Sequence, residues 1–210
     1  MVAHAVSALL ALAAISAHAQ AAVYRWIAAQ KERCEHPAFE EREAVRREPR
    51  ETVVQQWADH LAVAESGRRT LDALAPTIER WLERPHGYLS FHLVQVLTGH
   101  GCFGSYLHRI GREETPSCHA CRGGAEDTAH HTLAVCAAWA PQRNTLIAAV
   151  GRDLVLPSIV KAMLDSNEAW VAMASFCEDV MCQKEAAERE REDDPNAPSL
   201  RRRHYYDDCK

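Results

Sequence analysis

No stretch of this chain is apolar for long enough to mark a membrane span. An excess of positive charge is missing too. The 24 Lys and Arg stand against 29 Asp and Glu, a formal net charge of −5, so nucleic-acid binding would have to be a local property. Strand-like alternation of apolar and polar residues is absent, and there is no internal repeat. No Ser-His-Asp context and no phosphate-cradling glycine loop stands out, which removes the commonest routes to hydrolysis and nucleotide binding. The apolar run Val6–Ser16, followed by Ala17-His18-Ala19, has the small-residue pattern of a signal cleavage site but lacks a basic segment before it. It continues into the amphipathic Ala21–Ile27, so the reading is a buried helix. A nuclear or cytoplasmic location is expected rather than secretion.

What is present is mostly helical signal. Residues 2–32 are Ala-rich with little Gly or Pro. Glu40–Glu48 reads as a charged helix closed by Pro49. Val53, Val54, Trp57 and Leu61 share one helix face, and so do Leu71, Leu74, Ile78 and Leu82, with Pro76 as a kink or restart. Leu89–Leu97 suits a core helix or a strand; its length decides neither. Further helices are expected at Tyr106–Ile110, Pro141–Val150, Pro157–Leu164 and Asn167–Arg191. Trp57, Trp81, Trp139 and Trp170 fall in helical patterns and read as core aromatics. Past Asp193 the chain is charged, with Pro195 and Pro198, and is expected to be disordered. The fold class is therefore all-α, a bundle-like helical array with a small metal module. The expected divisions are an N-terminal helical extension (1–50), a helical domain (51–112), a zinc module (113–140), C-terminal helices (141–192) and a tail (193–210).

The chain has eight cysteines. Cys34, Cys102, Cys177, Cys182 and Cys209 are scattered and read as reduced thiols. The other three lie in SCHACRGGAEDTAHHTLAVCAAW, which runs from Ser117 to Trp139. Cys118 and Cys121 form Cys-x2-Cys, whose two-residue gap lets both thiolates face one ion from a tight turn. Gly123-Gly124 lets the chain reverse, and Asp127 or Thr128 can cap a helix. With His131 and Cys136 the pattern is Cys-x2-Cys-x9-His-x4-Cys. Three sulfurs and one nitrogen suit a closed tetrahedral Zn2+ site, which supports structure or recognition and leaves no place for a catalytic water. His130 is a rival for the nitrogen ligand. Five residues on a regular helix turn about 140° past a full turn, so neither histidine lines up perfectly with Cys136. His119, between the two cysteines, should face away. A redox Cys-x2-Cys would need a βαβ context that the chain lacks.

The blocks WLERPHGYLSFHLVQVLTGHGCFGSYLHRIGR, CHAC, DTAHHTLAVCAAW and AWVAMASFCEDVMCQKEAAERERE resemble the C-terminal region of non-LTR retrotransposon polyproteins, of the arthropod type-1 retrotransposable element kind. The resemblance covers about Gln55 to Arg203. In that family the region follows the reverse transcriptase domain and ends in a Cys-Cys-His-Cys zinc module. The family's "EHT" before the last cysteine carries the ligand role onto His131. Such polyproteins are several times longer, and neither an endonuclease nor a reverse transcriptase fits in 210 residues, so a fragment is expected. The resemblance implies RNA or DNA as partner, within a retrotransposon ribonucleoprotein, and no catalysis of its own. No membrane and no small-molecule substrate is expected. The alternative is a purely structural zinc-stapled helical protein, or a remnant without function.

Other residues fit this frame loosely. Arg109, Arg112 and Arg122 flank the cysteine cluster and could touch phosphates, although Glu113 and Glu114 blunt them. Arg201, Arg202 and Arg203 form a short basic cluster, read as a phosphate patch or a solvated tail. His100, Cys102 and His108 could suggest a second metal site, but turn and core packing is the reading preferred. Tyr205-Tyr206-Asp207-Asp208 matches a polymerase metal turn in letters only, because no strands surround it.

Overall fold

The computed structural model describes residues 21, 23–33, 37–62, 67–121 and 123–195. The chain divides into two compact units, Met1–Ser66 and Gly67–Lys210. In the first, residues 23–32 form a helix (α1) and Phe39–Ala62 form a second (α2). The Glu41 carboxylate reaches back to accept from the Ala38 amide at 3.0 Å, satisfying an amide ahead of the first turn. Helix α2 runs through Pro49 instead of ending there. A proline inside a helix removes one hydrogen bond and crowds the preceding turn, but the flanking segments are rich in the strong helix formers Glu, Arg, Gln and Ala, and they continue past it.

In the second unit, Arg68–Leu74 (α3) passes through a 3-10 turn at Ala75–Thr77, where Pro76 sits, into Ile78–Glu83 (α4). The ambiguous apolar run becomes a helix, Phe91–Thr98 (α5). The Ser90 side chain caps its start by accepting from the Leu93 amide at 3.2 Å. Gly99, at φ 73°, ends it in the left-handed conformation that glycine adopts without a Cβ penalty. Gly104–Arg109 (α6) leads into the cysteine-rich segment, and Ala140–Val150 (α7), Leu156–Asp165 (α8) and Asn167–Glu192 (α9) follow. Among the described residues no strand forms; a single isolated bridge joins Ser117 and Glu126.

Helix α9 is the spine of this unit and packs on α5, α7 and α8. Its buried face carries Trp170, Met173, Cys177, Val180 and Met181, spaced three and four apart as a helix stripe requires. That stripe meets Leu93 and Val96 of α5, Ile159 and Met163 of α8 and Phe103 ahead of α6 in one hydrophobic core. Trp81, Trp139 and Trp170 are buried in it, as their helical patterns predict. Gly87, at φ 81°, lets the chain pass over Trp170. A Cβ there would lie 2.2 Å from the indole ring.

Candidate metal centre

The cysteine-rich segment is built on two short pieces of backbone. The first is a loop closed at its base by the Ser117–Glu126 bridge. The Cys118 amide donates to the Ala125 carbonyl and the Asp127 amide to the Pro116 carbonyl, each at 2.8 Å. Gly124, at φ 65°, makes the reversal. The second piece starts at Thr128, whose hydroxyl accepts from the His131 amide at 3.0 Å and so caps the turn. From His131 to Val135 the backbone is a π turn, and the Cys136 amide donates to the His131 carbonyl at 2.7 Å. This answers the spacing problem. A π turn takes one more residue than an α turn, so residues five apart come nearly above one another.

Cys118, Cys121, His131 and Cys136 converge, with one ligand atom of each lying within 4.8 Å of all the others. Cys118 Sγ and Cys136 Sγ are 3.9 Å apart, and Cys121 Sγ is 3.3 Å from His131 Nε2. A disulfide would need about 2.05 Å between sulfurs. Tetrahedral metal–sulfur bonds of about 2.3 Å would put sulfurs about 3.8 Å apart. The donor set fits a metal ion. Cys118, His131 and Cys136 are buried; Cys121 is half-buried. His130 is exposed, and His119 lies against Glu113, so neither belongs to the cluster.

Burial raises the Cys118 thiol above its ordinary range and pushes Cys136 up to about 12. Cys121 is lowered, chiefly because the Gly123 amide stabilises its thiolate. Burial lowers His131, which keeps its ring neutral and its nitrogen free to ligate. Without a cation, two of the three sulfurs are thus held as neutral thiols; a bound cation would replace their protons.

Three side chains that the sequence did not single out as site residues hold this geometry. Asp127, expected only as a possible cap, is buried and accepts from the Gly104 amide at 2.9 Å and the Thr132 hydroxyl at 3.1 Å. It also accepts from Lys184 Nζ on α9 at 2.9 and 2.7 Å. Arg143 on α7 is buried and donates to the carbonyls of Leu133 at 2.9 Å and Thr132 at 3.3 Å, and to that of Cys136. These are the carbonyls at the end of the π turn. For Lys184 there was a signal: it stands on the apolar stripe of α9, where a lone lysine needs a partner. For Arg143 there was none.

The predicted phosphate contacts are dispersed. Arg109 lies over the Tyr106 ring at 5.1 Å, and both it and Arg112 are exposed. Arg122, Arg201, Arg202 and Arg203 lie outside the described residues, as do Asp207 and Asp208 and the tail beyond residue 195. His100 stacks on Tyr106 with ring centroids 4.7 Å apart, and His108 Nδ1 pairs with the Glu113 carbonyl at 3.0 Å. With Cys102 they make no common site. Cys102, Cys177 and Cys182 are free thiols, as are the three cysteines of the cluster.

Fold and site together define a helical protein carrying a buried Cys3His cluster of metal-ligand geometry. The chain is 28% identical over 131 residues to the "Retrovirus-related Pol polyprotein from type-1 retrotransposable element R1 4" of Nasonia vitripennis. The match takes in 60% of this chain and 32% of that protein, so it covers about a third of the relative's length. No family model matches the chain, and no solved structure matches it.

Proposed function

We propose that this chain is a zinc-binding, nucleic-acid-contacting segment of a retrotransposon Pol-type polyprotein, without polymerase or nuclease chemistry of its own. The observation that carries the reading is the Cys3His cluster within a chain similar to a Pol polyprotein. Cys118, Cys121, His131 and Cys136 are the ligands. Zn2+ is the ion that three thiolates and one imidazole suit best, and it is held with no open position. Bound zinc supplies cross-linking free energy to the fold, not a reactive water. Three thiolates on a dication leave one net negative charge, and Arg143, at the Cys136 carbonyl, supplies a compensating positive charge. Nucleic-acid contact is local, through Arg109, Arg112 and Arg122 beside the cluster and Arg201, Arg202 and Arg203 in the tail, against an overall charge of −5.

The test is a salt titration of binding to single-stranded RNA and to duplex DNA. Phosphate contacts give a log–log slope of about −0.7 per contact on single strands and −0.9 on duplex. Absence of binding at low salt removes the nucleic-acid role. A primed template with magnesium should show no incorporation; incorporation abolished by Asp207→Asn with Asp208→Asn would restore catalysis. A second reading, a zinc staple that only holds helices together, is favoured by the buried Asp127–Lys184 pair that ties the cluster to α9.

A further inference from the structure

Helices α5 and α9 bring a second group of ligand-type side chains together, away from the cysteine cluster. His92 Nδ1 is 2.6 Å from Glu178 Oε2 and 3.9 Å from Cys182 Sγ. All three ligand atoms lie within 4.8 Å of one another. Glu178 and Cys182 are four residues apart on α9, so the helix sets them one above the other on the same face. His92 follows Phe91 at the start of α5 and is mostly buried, at 12% side-chain exposure, so its ring is fixed by packing.

The other ring nitrogen matters as much. His92 Nε2 is 3.2 Å from Glu185 Oε1, and that carboxylate also accepts from Gln95 Nε2 at 3.4 Å. The imidazole therefore has a carboxylate at each end. A neutral ring can donate to only one of them. The 2.6 Å contact has Nδ1–H donating to the Glu178 carboxylate, and that hydrogen bond holds the carboxyl below its usual range. With the ring proton moved to Nε2, facing Glu185, the Nδ1 lone pair, the Glu178 carboxylate and the Cys182 sulfur face one point, where a metal ion can take the proton's place. A carboxylate that orients a histidine through its far nitrogen is the usual outer partner of a ligating histidine.

We propose that His92 Nδ1, Glu178 and Cys182 form a second metal site, for a borderline divalent ion such as zinc. Nitrogen, oxygen and sulfur donors in equal number suit such an ion better than magnesium or calcium. The site is open: Cys182 is exposed and Glu178 is 46% exposed, so water fills the remaining position. Uptake needs the Glu178 oxygen to move off His92 from 2.6 Å to about 3.3 Å, the separation set by metal bonds near 2.05 Å at tetrahedral angles. Its half-exposed position on the helix surface permits this. On binding, the Cys182 thiol proton is released to solvent and the ring proton shifts from Nδ1 to Nε2, facing Glu185. The ion would cross-link α5 to α9.

The full-length chain, already carrying one equivalent of zinc, is titrated with zinc against a chromophoric chelator, and in parallel with cobalt. We expect a second equivalent of metal, bound more weakly than the first, and one added thiolate-to-cobalt charge-transfer band. Cys182→Ser, at an exposed position, and Glu178→Gln should each remove the second equivalent and leave the first. Cys209→Ser should remove neither. A wild-type titration that saturates at one equivalent overturns the proposal. So does a second equivalent that survives both Cys182→Ser and Glu178→Gln, because the metal would then sit elsewhere on the chain.

Discussion

At the scale of single residues, His130 and His131 are adjacent in sequence and opposite in setting. His131 is buried with Nε2 against Cys121 Sγ, while His130 is exposed. His131→Ala should therefore weaken zinc binding by more than about 100-fold, exceeding what loss of an outer-shell partner costs. His130→Ala should leave it nearly unchanged, as read by chelator competition. Reversal of the two effects would move the ligand assignment by one residue. Acid should release the metal for reasons that can be signed. The pKa of His131 is depressed, so its contribution to stability is fully present above the unfolded value of about 6.5 and is lost below it, as pH falls through the lowered folded value. Cys118 and Cys136 are raised, so in the metal-free fold they favour the thiol and must shed protons to ligate. At least two protons should leave per zinc near neutrality. The apparent zinc affinity should thus rise by about two or more orders of magnitude per pH unit between pH 6.5 and 8. A slope near zero would mean that the thiols do not ligate.

At the scale of elements, the cluster is carried by a loop and a π turn, and neither would be held by itself. Asp127 connects them to α6 through the Gly104 amide and to α9 through Lys184. Lys184→Met should cost about 3–5 kcal/mol, because it leaves the Asp127 charge buried without its cation. Urea denaturation would measure it. Asp127→Asn added to Lys184→Met should return part of the loss, and a double variant that is simply additive would deny the coupling. Part of this level was legible in sequence. Cys-x2-Cys and the glycine pair announced the loop, because ligand spacing is a local property. The π turn could be read only as a conflict between a five-residue step and a 3.6-residue period. The Asp127–Lys184 pair spans 57 residues, and no local pattern encodes such a pairing. The run Leu89–Leu97 stayed ambiguous because a segment this short and mostly apolar shows no decisive period; the Ser90 cap and Gly99 resolve it as a helix. Pro49 misled for the opposite reason: a strong local breaker was outvoted by its neighbours.

At the scale of the whole molecule, the proposed zinc raises the question of how far its loss would propagate. A zinc site of this type is worth on the order of 10–16 kcal/mol at neutral pH, comparable with the whole stability of a domain, about 5–15 kcal/mol. The cluster is part of the main core: Leu133 of the π turn is fully buried, and Cys118 and Cys136 pack with the helices. Chelation should therefore lower the melting temperature of the Gly67–Lys210 unit, not only loosen a surface loop. It should not erase that unit. Lys184 and Trp170 are 14 residues apart on α9, about 21 Å along the axis. At the Trp170 end the helix is held by apolar contacts that need no metal: Trp81 at 5.3 Å between ring centroids, and Met163 and Ile159 of α8. Hydrogen exchange with and without chelator separates the cases. Protection should vanish from residues 117–139 and weaken around Lys184, while the amides of α8 and of the first half of α9 stay protected. Uniform loss across α8 and α9 would mean that the helices have no stable arrangement without the ion. Unchanged protection at 117–139 would mean that the four ligands converge by packing alone, and that zinc is not what holds them.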